Sequence, residues 1–385
     1  MAALALDCRV RRDEPEGPSA ESVIAPAASF AHGLPRRVVP EAGVDASAPL
    51  PDAGEPPKGT AVVAFGGLDS APDQPKPEQG AVRVAMNFLA RGGAALDAAV
   101  EGARVLEDSP RRNAGTGSAL RLDGTSIEMD AAVMASDGRA GAVAAISRVK
   151  NPVRVARRVA DTSYRVLSGD GAYRFAELSG EKPFDPILPD SHQRYRALLL
   201  GMLSPDGGVD AGLPADWERW VNPVTLERLK KRAGPALERA PPGDGGTDAA
   251  AEPAEGGSDT VAVLVRVVDG EFAGAVSSGG PWLALPGRVG DVPVAGAALW
   301  VGERGAVAAT GDGEAITRAV LAKAVYDRLV ALRSAKLAVQ WGQKQVPGVG
   351  LAVIDARNIV VEPAQGMAWA DIDDGERTSA EGGKP

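Results

Sequence analysis

The sequence predicts an α+β protein in which sheets are flanked by helices. Three observations carry that expectation. Short apolar runs of strand character and longer runs of helical spacing come in blocks along the chain. Glycine pairs at 66–67, 92–93 and 279–280 punctuate those blocks. No unit of 20–50 residues repeats, which excludes a solenoid.

Residues 1–58 are dominated by Pro, Ala, Gly, Glu and Asp without a helical or alternating period, so they are expected to form a disordered extension. The run 60–65 reads as a buried strand ending at Gly66-Gly67. Two helices follow, one with Val82, Ala85, Met86 and Leu89 on a face, the next with Leu96, Ala99, Val100 and Ala103. Strands are expected at 118–122, 127–134 and 141–147. Asn151-Pro152 then opens a helix through Val159, since proline is tolerated in a first turn. Residues 240–258 resemble the N-terminal extension in composition and read as a linker or functional loop. Two strands, 260–267 and 271–277, meet at a tight turn over 268–270. A Gly/Pro-rich stretch to 294, a strand at 306–309, a long helix over 313–332 and strands at 350–355 and 359–362 complete the fold. The segment 371–385 reads as a polar, solvated tail; Asp371, Asp373 and Asp374 do not match a calcium-loop spacing.

Composition narrows the chemistry. The 385 residues include two histidines, His32 and His192, and one cysteine, Cys8. A zinc site of the usual Cys/His kind and an intrachain disulfide are thereby excluded. A Ser-His-Asp triad would have to use one of those two imidazoles, and His192 falls in a polar stretch read as a structural loop. With 51 acidic against 42 basic side chains, the formal charge of −9 argues against a nucleic-acid partner. No run of about 18 apolar residues occurs, so no membrane span is expected. The apolar stretch at the start is too short for a signal peptide, and a cytoplasmic protein is expected.

Thr260 stands at a strand start directly after the 240–259 segment. Cutting the chain before it would expose a residue with both a nucleophilic hydroxyl and an α-amine. Such an amine has a pKa of about 7.7–8.0 and can act as base without histidine. The run Thr310-Gly-Asp-Gly-Glu314 precedes a helix but lacks the lysine of a P-loop, and Ile316 breaks a G-x-G-x-x-G pattern.

Six segments in order carry a resemblance: Gly92-Gly-Ala-Ala-Leu-Asp-Ala-Ala-Val100, Leu106-Glu-Asp-Ser-Pro-Arg-Arg-Asn-Ala-Gly115, Glu128-Met-Asp-Ala131, Lys150-Asn-Pro152, Gly287-Arg-Val-Gly-Asp291 and Thr310-Gly-Asp-Gly-Glu314. Over about residues 60–370 the chain resembles the N-terminal-nucleophile hydrolases of the plant-type asparaginase, isoaspartyl peptidase and glycosylasparaginase group, with taspases as relatives. The resemblance implies a four-layer αββα sandwich, made as a precursor that cleaves its own Asp259–Thr260 bond. The α-chain would comprise 59–239 with the linker 240–259 as its tail, and the β-chain would contribute 260–370. It further implies Thr260 as nucleophile, Ser278 as a second hydroxyl, and Thr310 with Gly311 as oxyanion hole. Arg288 would grip the substrate's α-carboxylate, Asp291 its α-ammonium, and Asn113 would line the site. A sodium-binding loop would use the backbone carbonyls of Leu106, Glu107, Ser109, Arg112, Ala114 and Thr116; no other cofactor is implied. The expected assembly is a dimer of αβ units acting on a small molecule or dipeptide.

The pattern departs from the common asparaginase form at Phe65, where a histidine is usual, at Val276-Ser277-Ser278, at Asp259, and at Trp282 and Ala284, where a lysine is missing. Asp291 separates the alternatives by charge. An internal aspartyl residue of a protein has no free α-ammonium, so a taspase-like site would leave that carboxylate unpaired. The retained aspartate favours asparagine, β-aspartyl dipeptides or glycosylasparagine; a non-catalytic aspartyl-binding relative is the competing class.

Overall fold

The computed structural model describes residues 59–66, 77–203, 213–214, 216–237, 260–268, 270–364, 366–373 and 376–381. All of them lie in one compact unit, Val44–Pro385. The expected extension 1–58, Gly67, and the expected linker with Asp259 fall outside the described residues.

Strand β1 (Ala61–Gly66) leads into helices α1 (Pro77–Ala90) and α2 (Ala95–Glu107), with Gly92-Gly93 in the break between them. The apolar faces read from the sequence are the buried ones: Val82, Ala85, Met86 and Leu89 on α1, and Leu96, Ala99, Val100 and Ala103 on α2. Strands β2 (Met129–Ala135) and β3 (Ala140–Ile146) and helix α3 (Pro152–Val159) follow, α3 opening on its proline. The next segment, left unassigned by periodicity, folds into β4 (Val166–Ser168), α4 (Gly169–Leu178), α5 (Ser191–Met202) and α6 (Pro223–Leu237). His192 therefore sits on a helix, not in a loop. Only Ser191, Tyr195 and Leu199 of α5 are buried, too thin an apolar stripe to stand out against its arginines.

The second half runs β5 (Val261–Arg266), β6 (Phe272–Ser278), β7 (Leu299–Gly302), β8 (Gly305–Thr310), α7 (Gly313–Ala319), α8 (Leu321–Leu332), α9 (Ala335–Gln345), β9 (Gly350–Asp355), β10 (Ile359–Glu362), β11 (Ala368–Asp373) and β12 (Glu376–Glu381). Three expectations need correction. Residues 118–122 form no strand; Leu120 accepts from the Leu283 N–H and Leu122 donates to the Ala284 carbonyl, a local pairing away from the sheets. The helix expected over 313–332 is two helices, broken at Val320 with φ 46° and ψ 50°. The polar tail is not free from residue 371 on, because Asp371 lies in β11 with 6% exposure and residues 376–381 pair with it as β12.

Two sheets result. The larger has the order β12-β11-β1-β5-β6-β2-β3-β4, the smaller β10-β9-β8-β7. One apolar cluster joins Val62 and Ala64 of β1 and Val261, Val263 and Val265 of β5 to α1, α2 and α3. A second joins the opposite faces of β1 and β5, through Phe65 and Leu264, and Phe272 of β6 to Leu299, Ala308 and Ile354 of the smaller sheet. The third packs Val307, Leu351 and Val353 against Val325 and Leu329 of α8 and Val339 of α9. Strands covered on both faces have no solvent side, so β1, β5 and β8 read as unbroken apolar runs rather than as alternation. Each large side chain so buried contributes about 1.5–3 kcal/mol. Gly274 in β6 permits the two sheets to approach, since a Cβ there would come within 2.7 Å of Leu299 and 2.9 Å of Leu264.

Candidate active site

The ends of β5, β6 and β2 lie level. Val261 pairs with Ser277, which sets Thr260 one step on beside Ser278, and Ser278 pairs with Asp130. Thr260 is fully buried at the mouth of β5. Its hydroxyl has no hydrogen-bond partner among the described residues, and its N–H donates to Thr310 Oγ1 at 3.2 Å. Thr310 closes β8 of the smaller sheet, so this bond ties the two sheets together at the site. Gly311 follows at φ 146°, a conformation glycine adopts freely. Asp312 then caps α7, its carboxylate accepting from the N–H groups of Glu314 and Ala315.

Ser278 Oγ accepts from the Gly280 N–H at 3.0 Å. Asn113 holds the same turn from the other side: its side-chain nitrogen donates to the Gly280 carbonyl at 2.6 Å, its backbone carbonyl accepts from Gly279 at 2.6 Å, and Oδ1 accepts from Ala119 at 2.9 Å. The asparagine thus shapes the wall rather than merely standing in it.

Arg288 and Asp291 approach the first residue of α7 together. A Cβ on Gly313 would lie 2.8 Å from Asp291 Oδ1 and 2.9 Å from Arg288 Nη2. Arg288 is paired with Glu314, Nε and Nη2 reaching its carboxylate at 2.9–3.0 Å. The partner is therefore not Asp291, as a simple surface pair within the Gly-Arg-Val-Gly-Asp run would have had it. Asp291 is buried and its Oδ2 has no partner among the described residues. Desolvation pushes its pKa up to about 6, against the pull of its own backbone N–H and Arg288 and with help from Asp130 and Glu314. A cleft of about 270 Å³ runs alongside, lined by Arg288, Val289, Gly290, Gly313, Glu314, Thr317 and Arg318.

Several residues at the site were not singled out from sequence. Asp130, 1% exposed, accepts from Gly290 and Ala145 at 2.8 Å each and so anchors the loop that carries Arg288 and Asp291. Desolvation raises its pKa. Arg121 is buried beside it and donates to the Glu128 carbonyl at 2.6 Å. The available signal was a charge inside an apolar run: Asp130 between Met129 and Ala131, Arg121 between Leu120 and Leu122. Glu107, expected only for its backbone carbonyl, has a buried side chain; burial pushes its carboxyl up to about 8, despite the hydrogen bond from the Val153 N–H.

The expected cation loop is a compact turn. The carbonyls of Leu106, Ser109 and Ala114 accept from the N–H groups of Ser109, Arg112 and Gly117. Those of Glu107 and Arg112 crowd against Gly115 and Gly117, where no Cβ would fit. Among the described residues no group of three or more His, Cys, Asp or Glu side chains is placed to hold a metal ion. No helix among them is long and apolar enough to cross a membrane.

The sequence that builds this arrangement is similar to that of known proteins. A family model described as Asparaginase matches residues 73–358. The chain belongs to the asparaginase family. A plant-type L-asparaginase of Thermococcus kodakarensis is 32% identical over 294 residues, covering 74% of this chain and 85% of that protein. An isoaspartyl peptidase/L-asparaginase of Danio rerio is 32% identical over 314 residues, 77% and 86% of the two chains. An isoaspartyl peptidase of Escherichia coli is 34% identical over 247 residues, 63% and 64%. The asparaginase match runs from just before α1 to the turn between β9 and β10, so it spans Thr260, the Arg288–Asp291 loop and Thr310.

Proposed function

We propose that the protein is an amidohydrolase of β-aspartyl bonds, releasing aspartate from L-asparagine and from β-aspartyl dipeptides, with Thr260 as an N-terminal nucleophile. The packing of helices, large sheet, small sheet and helices is read as the four-layer αββα sandwich of such enzymes, cut between Asp259 and Thr260. The observation that carries the reading is Thr260 itself: a buried hydroxyl without a partner among the described residues, at the end of a central strand, whose N–H already faces the Thr310 hydroxyl.

After cleavage the Thr260 amine takes the proton from its own Oγ as that oxygen attacks the substrate's side-chain carbonyl. The Thr310 hydroxyl, which accepts from the Thr260 N–H, and the Gly311 N–H would stabilise the oxyanion. The C–N bond breaks, the amine returns its proton to the leaving ammonia or amino acid, and a β-aspartyl ester stays on Thr260. Water, deprotonated by the same amine, attacks that ester; aspartate leaves and Thr260 Oγ regains its proton. Arg288 binds the α-carboxylate, and the unpartnered Asp291 oxygen receives the α-ammonium, which a buried carboxylate would otherwise lack. A sodium ion in the 106–116 turn fits its hard carbonyl donors and would stiffen the loop that carries Asn113. Two processed αβ units are proposed to pair as a dimer.

Thr260→Ala tests the core of the reading. The wild-type chain should appear as two bands on a denaturing gel and release aspartate from L-asparagine; the variant should remain one band and release none. Turnover surviving in the variant, or a wild-type chain that stays whole and inactive, would refute the mechanism.

A further inference from the structure

Glu78 and Arg112 form an ion pair that the steps above leave without a task. Glu78 stands in the first turn of α1 and is 0% exposed; Arg112, 34 positions on and directly before Asn113, is 1% exposed. Arg112 Nε donates to Glu78 Oε1 at 2.6 Å, and Nη1 donates to the Arg111 carbonyl at 3.2 Å. Nη2 and the second Glu78 oxygen have no partner among the described residues. A buried pair so incompletely satisfied returns little net stability, because desolvating two charges offsets most of their attraction. What it does fix is direction: one short charge-assisted bond sets where the arginine side chain runs.

That side chain runs to the end of the sheet that carries the nucleophile. A Cβ on Gly66, the last residue of β1, would lie 3.2 Å from Arg112 Cδ, 3.3 Å from Nε and 3.0 Å from Val261 Cγ1. The stem of Arg112 therefore closes on Gly66 together with the residue that follows Thr260. Its backbone continues into Asn113, whose carbonyl and side chain hold Gly279 and Gly280, the turn after Ser278. We infer that Arg112 is a positioning residue for the reaction: anchored to α1 through Glu78, it fixes Asn113 and, through it, the Ser278 turn beside Thr260. The inference rests on the amidohydrolase reading and extends it, since it concerns the placing of the site's hydroxyls and not the hold on the substrate's charged ends. Misplacing such groups by about an ångström lowers turnover by up to about a hundredfold.

The test replaces both charges by apolar side chains of similar volume, Glu78→Leu with Arg112→Met, which avoids leaving one buried charge alone. The double variant should melt close to wild type and hydrolyse L-asparagine with kcat, counted per self-cleaved chain, lowered by about tenfold or more and KM little changed. Asn113→Ala is then made in both backgrounds. It should lower kcat in the wild-type chain and add little in the double variant, where the turn is already loosened. Wild-type kcat in the folded double variant, a loss confined to KM, or an Asn113→Ala effect equal in both backgrounds overturns the role of Arg112. Should the double variant not fold, Arg112→Lys decides: it keeps the charge but not the planar fork, so its kcat should fall severalfold, and an unchanged kcat overturns the inference. A wild-type protein that does not hydrolyse L-asparagine overturns the amidohydrolase reading instead.

Discussion

Asp291 illustrates how one side chain can be costly to the fold and necessary to the site. It is 1% exposed, faces Arg288, Asp130 and Glu314, and leaves one oxygen unpaired among the described residues. Its folded pKa, about 6 against an ordinary 3.8, means that the native state holds the proton more tightly than the unfolded chain. The destabilisation is therefore absent below about pH 4, grows through the interval to pH 6 and is fully present above it. Asp291→Asn should raise stability at pH 8 by on the order of 1–3 kcal/mol while changing little at pH 4, as read by urea unfolding at the two values. Activity should move the other way. The carboxylate must be ionised to hold an ammonium, so kcat/KM for L-asparagine should fall as pH is lowered through about 6, and the Asn variant should be poor throughout. An acid limb that persists in Asp291→Asn would assign it to another group. From sequence, Thr260, Arg288 and Asp291 were legible because motif order marked them; Arg121 was not, because a lone arginine between two leucines looks like a surface residue until the fold buries it.

The break between α7 and α8 belongs to the next scale. Apolar spacing is continuous across 313–332, so periodicity reads one helix. The chain instead turns at Val320, where α8 docks its start on the loop before β7, Ala322 donating to the Ala297 carbonyl and Lys323 to that of Gly296. A β-branched residue at φ 46° is strained, and Val320 is 41% exposed, so its side chain returns little burial. Val320→Gly should raise stability by about 1 kcal/mol, the relief of strain outweighing the entropy of the added glycine. Thermal unfolding would show it as a higher midpoint, and a lower one would mean the valine is not strained. The turn matters to the site, since α7 alone, capped by Asp312, presents Gly313 to Arg288 and Asp291 and carries Glu314 to the arginine.

At the scale of the molecule, β11 decides the integrity of the large sheet. It pairs with β1 over six residues, from Ala61 with Asp373 to Gly66 with Ala368, and Asp373 receives Arg266 from β5. A chain ending at Met367 would leave the strand beside the candidate nucleophile's own strand unpaired along one edge. It should lose cooperative unfolding by circular dichroism, whereas a chain ending at Glu381 should melt like the full protein; equal melting of both would show β11 to be dispensable. A polar composition hid this strand, because Asp371 and Asp373 fall where local reading sees only charge. The sequence by itself determined the helices with broad apolar faces, the strands buried on both sides, and the residues able to do chemistry without histidine. Those depend on local spacing and side-chain type. Only the tertiary structure decided that Thr260 and Thr310 meet across two sheets, that Arg288 pairs with Glu314, that Val320 bends and that the Arg121 and Arg288 guanidiniums both pack against Gly280. These are contacts between residues 26 to 167 positions apart or conformations forced by docking, and no periodicity along the chain encodes them.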